Sequence, residues 1–236
     1  MQKRENNSRK RKFLVVSPHP DDAELGLGGT ILKLKAKGYD VFIVDLTSGE
    51  PTPCGTQQKR RMETDQASKV LNIDKRINLG LPNRYLFDSK EARLLLAEQI
   101  RLHKPDIIFC PYPVDAHPDH VAASKITEGA RFYAKYTNLT IKGEPHYPFY
   151  LFYYFCFHLR IVPEISFLVD ISCQFQEKIK AVKCYKSQFI DNPENKFVFD
   201  YIETQNKTLG RLIRAEYAEA LYSREAIKID DLSNLL

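Results

Sequence analysis

The sequence lacks any apolar stretch close to the roughly 20 residues that a membrane-spanning helix needs. Its longest apolar run, residues 149–157, is short and mostly aromatic, and we expect a buried strand there. Near the N-terminus, only residues 13–16 form an apolar segment before Ser17 and Pro18, which is too short for a secretory signal. We therefore expect a soluble, cytoplasmic protein that does not bind membranes.

Cysteine pairs with C-x-x-C spacing are also absent. The five cysteines are odd in number, which argues against both a disulfide framework and a cysteine zinc site. No repeat, low-complexity tract or linker rich in glycine, serine or proline divides the chain of 236 residues. We expect a single α/β domain over residues 13–236.

Residues 13–236 carry no net positive charge. The chain has a formal net charge of +5, and residues 1–12 hold six basic side chains against Glu5, so the remainder is neutral. The polar composition of residues 1–12 is typical of a disordered tail. We therefore expect no nucleic acid partner, with an RNA-binding arm as the alternative for this tail.

Short β-branched runs alternate with amphipathic segments, a pattern typical of βαβ units and a parallel sheet covered on both faces. The sequence predicts strands at residues 13–16, 41–46, 107–110, 151–156 and 167–169. Apolar spacings of three or four predict helices at 92–100 and 122–133, and a long C-terminal helix over 209–220. We expect a Rossmann-like α/β fold with a mostly parallel sheet.

A first polar cluster follows the predicted strand 13–16. It contains His19, Asp21 and Asp22 within a proline-bracketed turn that leads into a glycine-rich helix start. Ligands of open α/β sheets bind at the carboxyl ends of the strands. His19 and Asp22 stand three residues apart, so a helical turn projects them to the same side, and imidazole with carboxylate suits zinc.

A second cluster, residues 115–120, follows the predicted strand 107–110 and should lie at the same sheet edge. His19, Asp22 and one histidine of His117 or His120 would give zinc three protein ligands and leave a position for water. Asp21, next to a ligand, is the natural general base for an attacking water.

Each element alone has a simpler explanation. Asp21, Asp22 and Asp119 could cap helices, and either His117 or His120 could be structural. Two such clusters, each directly beyond a predicted strand, together favour a catalytic metal centre.

A nucleotide-binding Rossmann enzyme fits poorly, because G-x-G-x-x-G would need glycine at Ile31. We expect Gly28 and Gly29 to permit close helix–sheet packing instead.

The motif of residues 18–30, Pro-His-Pro-Asp-Asp-x-Glu-x-Gly-x-Gly-Gly-Thr, and His-Pro-Asp-His at 117–120 resemble the PIG-L/LmbE-like family of zinc-dependent N-acetylglucosamine deacetylases. Later segments resemble most the bacillithiol-biosynthesis branch, whose members deacetylate N-acetylglucosaminyl malate. These segments are residues 45–50, 78–82, 104–106, 143–146, 169–172 and 185–189.

The resemblance implies that His19, Asp22 and His120 bind zinc, with Asp21 as general base. It makes His117 the histidine that does not bind the metal, placed to stabilise the oxyanion or to protonate the leaving amine. Iron can occupy the same kind of His/Asp set.

The resemblance also implies that Arg60 contacts substrate and that Tyr201 helps to polarise the acetyl carbonyl. Tyr147 stands where the bacillithiol-type proteins usually carry arginine, which leaves the aglycone open. Arg84 and Lys59 are alternative partners for substrate carboxylates.

The resemblance thus implies a zinc-dependent hydrolase that deacetylates a small amino-sugar conjugate, N-acetylglucosaminyl malate in bacillithiol biosynthesis, and forms homo-oligomers. One alternative is deacetylation of an inositol-linked conjugate or a chitooligosaccharide. The other is a non-catalytic module that binds carbohydrate or RNA.

Overall fold

The computed structural model describes residues 9–229 and 231. Most of the predicted tail, residues 1–8, lies outside the described residues, while residues 9–11 have no regular secondary structure. Within these described residues, seven strands form one sheet. They are β1 (Lys12–Ser17), β2 (Asp40–Thr47), β3 (Lys75–Leu81), β4 (Ile107–Pro111), β5 (Tyr150–Tyr154), β6 (Phe167–Asp170) and β7 (Ala218–Tyr222).

Helices connect most of these strands. They are α1 (Asp22–Ala36), α2 (Gln57–Leu71), α3 (Lys90–His103), α4 (Pro118–Lys135), α5 (Phe175–Lys183), α6 (Lys186–Phe189) and α7 (Val198–Leu212), with a short 3₁₀ helix at Pro193–Asn195. Within the described part of the chain, no helix combines the length and apolar character that crossing a membrane requires.

The strand order is β3-β2-β1-β4-β5-β7-β6. Strands β1 to β5 pair in parallel, whereas β7 runs antiparallel to both of its neighbours. The predicted mostly parallel α/β sheet is therefore confirmed. The chain leaves β1 towards β2 on one side and returns to β4 on the other, so β1 and β4 flank the point where the strand order reverses.

Alternation along β1 divides the core between the two faces of the sheet. Leu14 and Val16 pack with buried residues of α3 and α4, while Val15 packs with Leu27 and Ile31 of α1. All five of these side chains are fully buried. Burial on both faces explains why the sequence of this strand is an uninterrupted apolar run.

The predicted long C-terminal helix is wrong. Helix α7 ends at Leu212, and Ala218–Tyr222 form β7, which pairs with β6. The chain turns sharply between them, with Arg214 in the left-handed region at φ 57°. Gly210 permits this turn, since a Cβ there would lie 2.7 Å from the Ala215 carbonyl oxygen.

Close packing at the glycines of α1 differs in part from the prediction. The sheet is contacted at Gly26, where a Cβ would lie 2.5 Å from the ring of Tyr154 in β5. Gly28 faces Lys178 of α5, and Gly29 faces Ile171, which directly follows β6. The two neighbouring glycines therefore let α1 approach α5 and the end of β6.

Replacing Gly29 by alanine is expected to lower the free energy of unfolding by about 1–3 kcal/mol. The added methyl group would meet the Ile171 side chain at 2.7 Å. Gly28→Ala is the matched control, because its closest contact, at 3.1 Å, is a methylene of the Lys178 chain. Urea unfolding measures both variants, and an equal loss of stability would contradict a specific close approach at Gly29.

Candidate active site

The two predicted clusters meet at one edge of the sheet. Strands β1 and β4 pair in parallel, with Val15 opposite Phe109, so their carboxyl ends adjoin. His19 lies in the turn after β1, and Asp22 begins α1. His117 and His120 lie at the start of α4 after β4.

A group of three of these side chains fits a metal ion. The ligand atoms of His19, Asp22 and His120 all lie within 4.8 Å of one another. His19 Nδ1 is 3.0 Å from Asp22 Oδ2, and His120 Nε2 is 3.4 Å from Asp22 Oδ1. Two imidazole nitrogens with one carboxylate form a donor set that suits zinc and other first-row divalent metals.

Two further carboxylates contact the other ring nitrogen of each histidine. Asp119 Oδ2 is 3.1 Å from His19 Nε2, and Asp115 Oδ2 is 3.0 Å from His120 Nδ1. Each ring thus has one nitrogen engaged by an aspartate and the other directed towards Asp22. This arrangement is the carboxylate–histidine pairing that orients metal ligands in proteins.

The same contacts shift the pKa values of the cluster. Burial disfavours a charged His19, but hydrogen bonds with Asp119 and Asp22 outweigh it and raise the pKa of His19 to about 9. Burial likewise opposes ionisation of Asp22, yet His120 and His19 hold its pKa well below the usual range. The cluster is therefore a set of charges that are strongly coupled to one another.

Asp21 has a different environment and an unusual backbone. It precedes α1 with φ 119°, a region that side-chain-bearing residues rarely adopt, and its carboxylate makes no capping hydrogen bond to the helix. Instead, Asp21 Oδ2 accepts a 2.7 Å hydrogen bond from Arg60 Nη1. Burial raises the pKa of Asp21 to about 6, although the Arg60 charge opposes this shift.

His117 occupies the N-cap position of α4. Its Nδ1 accepts a hydrogen bond from the Asp119 backbone N–H at 3.2 Å, so a neutral ring carries its proton on Nε2. Burial and the neighbouring His120 lower the pKa of His117 to about 4. The ring is thus a neutral hydrogen-bond donor beside the cluster.

The Asp119 side chain does not cap α4. Its carboxylate instead accepts hydrogen bonds from the backbone N–H groups of Arg84 and Leu86.

A cavity of about 200 Å³ contains the cluster. Its polar wall includes several side chains from other loops, and its apolar wall includes two phenylalanines. These residues are Thr52, Asn83, Arg84, Gln188, Asn195, Phe157 and Phe189. Amide and hydroxyl groups of this kind can hydrogen-bond the hydroxyls of a small polar ligand.

The remaining sequence-predicted residues lie at different distances from this cavity. Arg60 lines it, but its guanidinium is buried between Asp21 and Glu50. Tyr201 does not line it, and its ring instead packs edge-on against Phe157, with centroids 4.8 Å apart. Tyr147 also lies elsewhere, stacked 4.4 Å from the guanidinium of Arg131 in α4.

His158 lines the cavity and was missed by the sequence analysis. Its ring centroid lies 5.5 Å from that of His117 and 5.8 Å from that of His120. It follows the predicted strand 151–156 by two residues, so the strand-end rule that selected the other histidines would have selected it too.

Three comparisons with known proteins agree with this geometry. Residues 14–130 match the model of the PIG-L family, described as GlcNAc-PI de-N-acetylase. A diacetylchitobiose deacetylase of Thermococcus kodakarensis is 30% identical over 228 residues, covering 89% of this chain and 82% of that protein. A probable N-acetyl-α-D-glucosaminyl L-malate deacetylase 2 of Bacillus anthracis is 30% identical over 128 residues, covering 49% of this chain and 57% of that protein.

A solved structure extends the similarity to the whole fold. The crystal structure of a conserved protein from Thermus thermophilus superposes with a TM-score of 0.85 at 38% identity, covering 92% of this chain and 97% of the other. The family match includes most of β1 and the start of α4, and hence both clusters of the site. The chain belongs to the PIG-L family.

Proposed function

We propose that the protein is a metal-dependent hydrolase that removes the N-acetyl group from an N-acetylglucosamine conjugate, with zinc as the metal. The observation that carries this proposal is the convergence of His19, Asp22 and His120 beside Asp21 in one cavity. Family membership and the deacetylase relatives support the same reaction.

The metal, held by His19, Asp22 and His120, would supply Lewis acidity towards water and the acetyl carbonyl. Asp21 acts as general base: its Oδ2 is held by Arg60, and its Oδ1 takes the proton of the attacking water and passes it to the leaving nitrogen. Hydrolysis of the amide bond then yields acetate and a free amine.

His117 stabilises the charge that develops on the carbonyl oxygen. Because its Nδ1 is occupied by the Asp119 N–H, the donor that faces a ligand is Nε2–H. A fixed donor of this kind stabilises the transition state without reorganising during the reaction. We also propose that residues 13–236 act as one catalytic domain. Tyr201 influences the reaction indirectly, because its ring supports Phe157 on the cavity wall.

Asp21→Asn is expected to lower kcat by about 100- to 10,000-fold, the range for loss of a general base, while leaving metal bound. Asp22→Asn is the matched control, and it is expected to lose the metal. Amine release and metal content by mass spectrometry are measured on both. Loss of metal from Asp21→Asn, or its full activity, would contradict the assignment of the base.

Asp115→Asn is expected to weaken metal binding by about 10- to 100-fold, since it removes the carboxylate that holds His120 Nδ1. Competition titration with a chelator measures the affinity. Asp191→Asn, at an exposed position, is the control and should bind metal as the wild type does. Unchanged affinity in Asp115→Asn would exclude this orienting role.

For the substrate, we propose N-acetylglucosaminyl malate. Its deacetylation is a step of bacillithiol biosynthesis, which we place in the cytoplasm. The Bacillus anthracis relative and the sequence segments outside the two motifs support it. Diacetylchitobiose is the second candidate, because the relative named for that substrate matches over more of the chain.

The protein loaded with zinc is expected to release amine from the malate conjugate faster than from diacetylchitobiose or an inositol-linked conjugate, and chelation should abolish release. Fluorescent detection of the primary amine measures all three. Faster release from diacetylchitobiose would select the second candidate, and no release from any conjugate would refute the deacetylase proposal.

A further inference from the structure

We propose that Arg84 determines substrate choice by binding an acidic group on the aglycone, the part of the conjugate attached to the sugar. The inference rests on the proposed function and extends it to the charge of the substrate. Three observations support it: the position of Arg84 in the cavity, the contacts of its guanidinium, and the ion pairs or exposure of the neighbouring basic residues.

Arg84 follows β3 and lines the cavity together with His19 and His117. Its backbone N–H donates to Asp119 Oδ2 at 2.8 Å, the same oxygen that lies 3.1 Å from His19 Nε2. One carboxylate oxygen therefore fixes both the backbone of Arg84 and a histidine of the metal cluster. The position of the Arg84 backbone relative to His19 is therefore set by this shared carboxylate.

The guanidinium of Arg84 has spare hydrogen-bonding capacity. Its Nη2 donates to the Pro51 carbonyl oxygen at 2.8 Å, and Pro51 also lines the cavity. Over residues 9–229 and 231, no Asp or Glu oxygen lies within ion-pair distance of Arg84. Since an arginine side chain has five N–H donors in a planar fork, a carboxylate can still be bound in bidentate geometry.

Arg60 and Lys59 do not offer a guanidinium or ammonium group that could bind a substrate carboxylate in the cavity. Arg60, the other arginine on the cavity wall, is already paired with Asp21 and Glu50. Lys59 is exposed on α2 and does not line the cavity. Within the described part of the chain, Arg84 is thus the arginine or lysine of this cavity that lacks a carboxylate partner.

Neutral side chains cover the adjoining wall. Asn83, the preceding residue, and Asn195 both line the cavity, where amide groups suit sugar hydroxyls rather than charged groups. A conjugate with a neutral sugar and a carboxylate-bearing aglycone therefore matches this distribution of amide and guanidinium groups.

The test compares N-acetylglucosaminyl malate with N,N′-diacetylchitobiose on the zinc-loaded wild type, Arg84→Gln and Arg84→Lys. Arg84→Gln is expected to raise KM for the malate conjugate by about 10- to 100-fold, the range for loss of a charge-assisted hydrogen bond, with kcat near that of the wild type. KM for diacetylchitobiose should not change. Arg84→Lys should restore part of the affinity for the malate conjugate.

Ionic strength gives an independent readout. KM of the wild type for the malate conjugate should rise with salt, and this dependence should disappear in Arg84→Gln. Lys59→Gln is the matched control, since it removes a positive charge of the same region outside the cavity. Arg84→Gln and Arg84→Lys both keep a Cβ, so the left-handed backbone of residue 84, φ 66°, is equally disfavoured before and after substitution.

Equal rises in KM for both conjugates, or no rise for either, would overturn the inference. A wild type that deacetylates diacetylchitobiose but not the malate conjugate would overturn it too, while leaving the deacetylase proposal intact. A wild type that deacetylates neither conjugate refutes the proposed function itself.

Discussion

Backbone hydrogen bonding between β1 and β4 is the interaction on which the site depends. It pairs Phe13 with Ile107 and thereby brings together His19 and Asp119, which are 100 positions apart in the sequence. The register also assigns alternate residues of β1 to opposite layers of the core, so a slip of one residue would exchange the two layers. The His/Asp cluster of the candidate site and the core are consequently specified by the same strand pairing.

Buried ion pairs fix the helix that carries Asp22. Glu24, in the first turn of α1, is buried against Arg76 of β3, which also binds Asp45 of β2. Further along α1, two backbone N–H groups donate to Glu219 of β7, whose charge is balanced by Lys178 of α5. Removing one partner of such a pair typically costs about 3–5 kcal/mol, because the other charge is left buried. These pairs make α1 a rigid support for Asp22, the proposed metal ligand.

The sequence predicted those parts of the site that follow from local rules. His19 and Asp22 are three residues apart, and each cluster directly follows a strand, so their convergence needed only the parallel sheet. Contacts between distant elements could not be predicted this way. The pairing of Arg60 with Asp21 depends on where α2 packs, and the position of Tyr201 depends on α7. The prediction extended the C-terminal helix past Leu212 because apolar spacing alone does not reveal the turn that leads into β7.

Position 21 is subject to two requirements, one from the backbone and one from the proposed chemistry. A φ of 119° favours glycine, and for a residue with a side chain such a conformation costs about 1–3 kcal/mol. The proposed chemistry, by contrast, needs a carboxylate at this position. Conformational preference and the proposed chemistry therefore favour different amino acids at position 21, and under that proposal the aspartate trades backbone stability for activity.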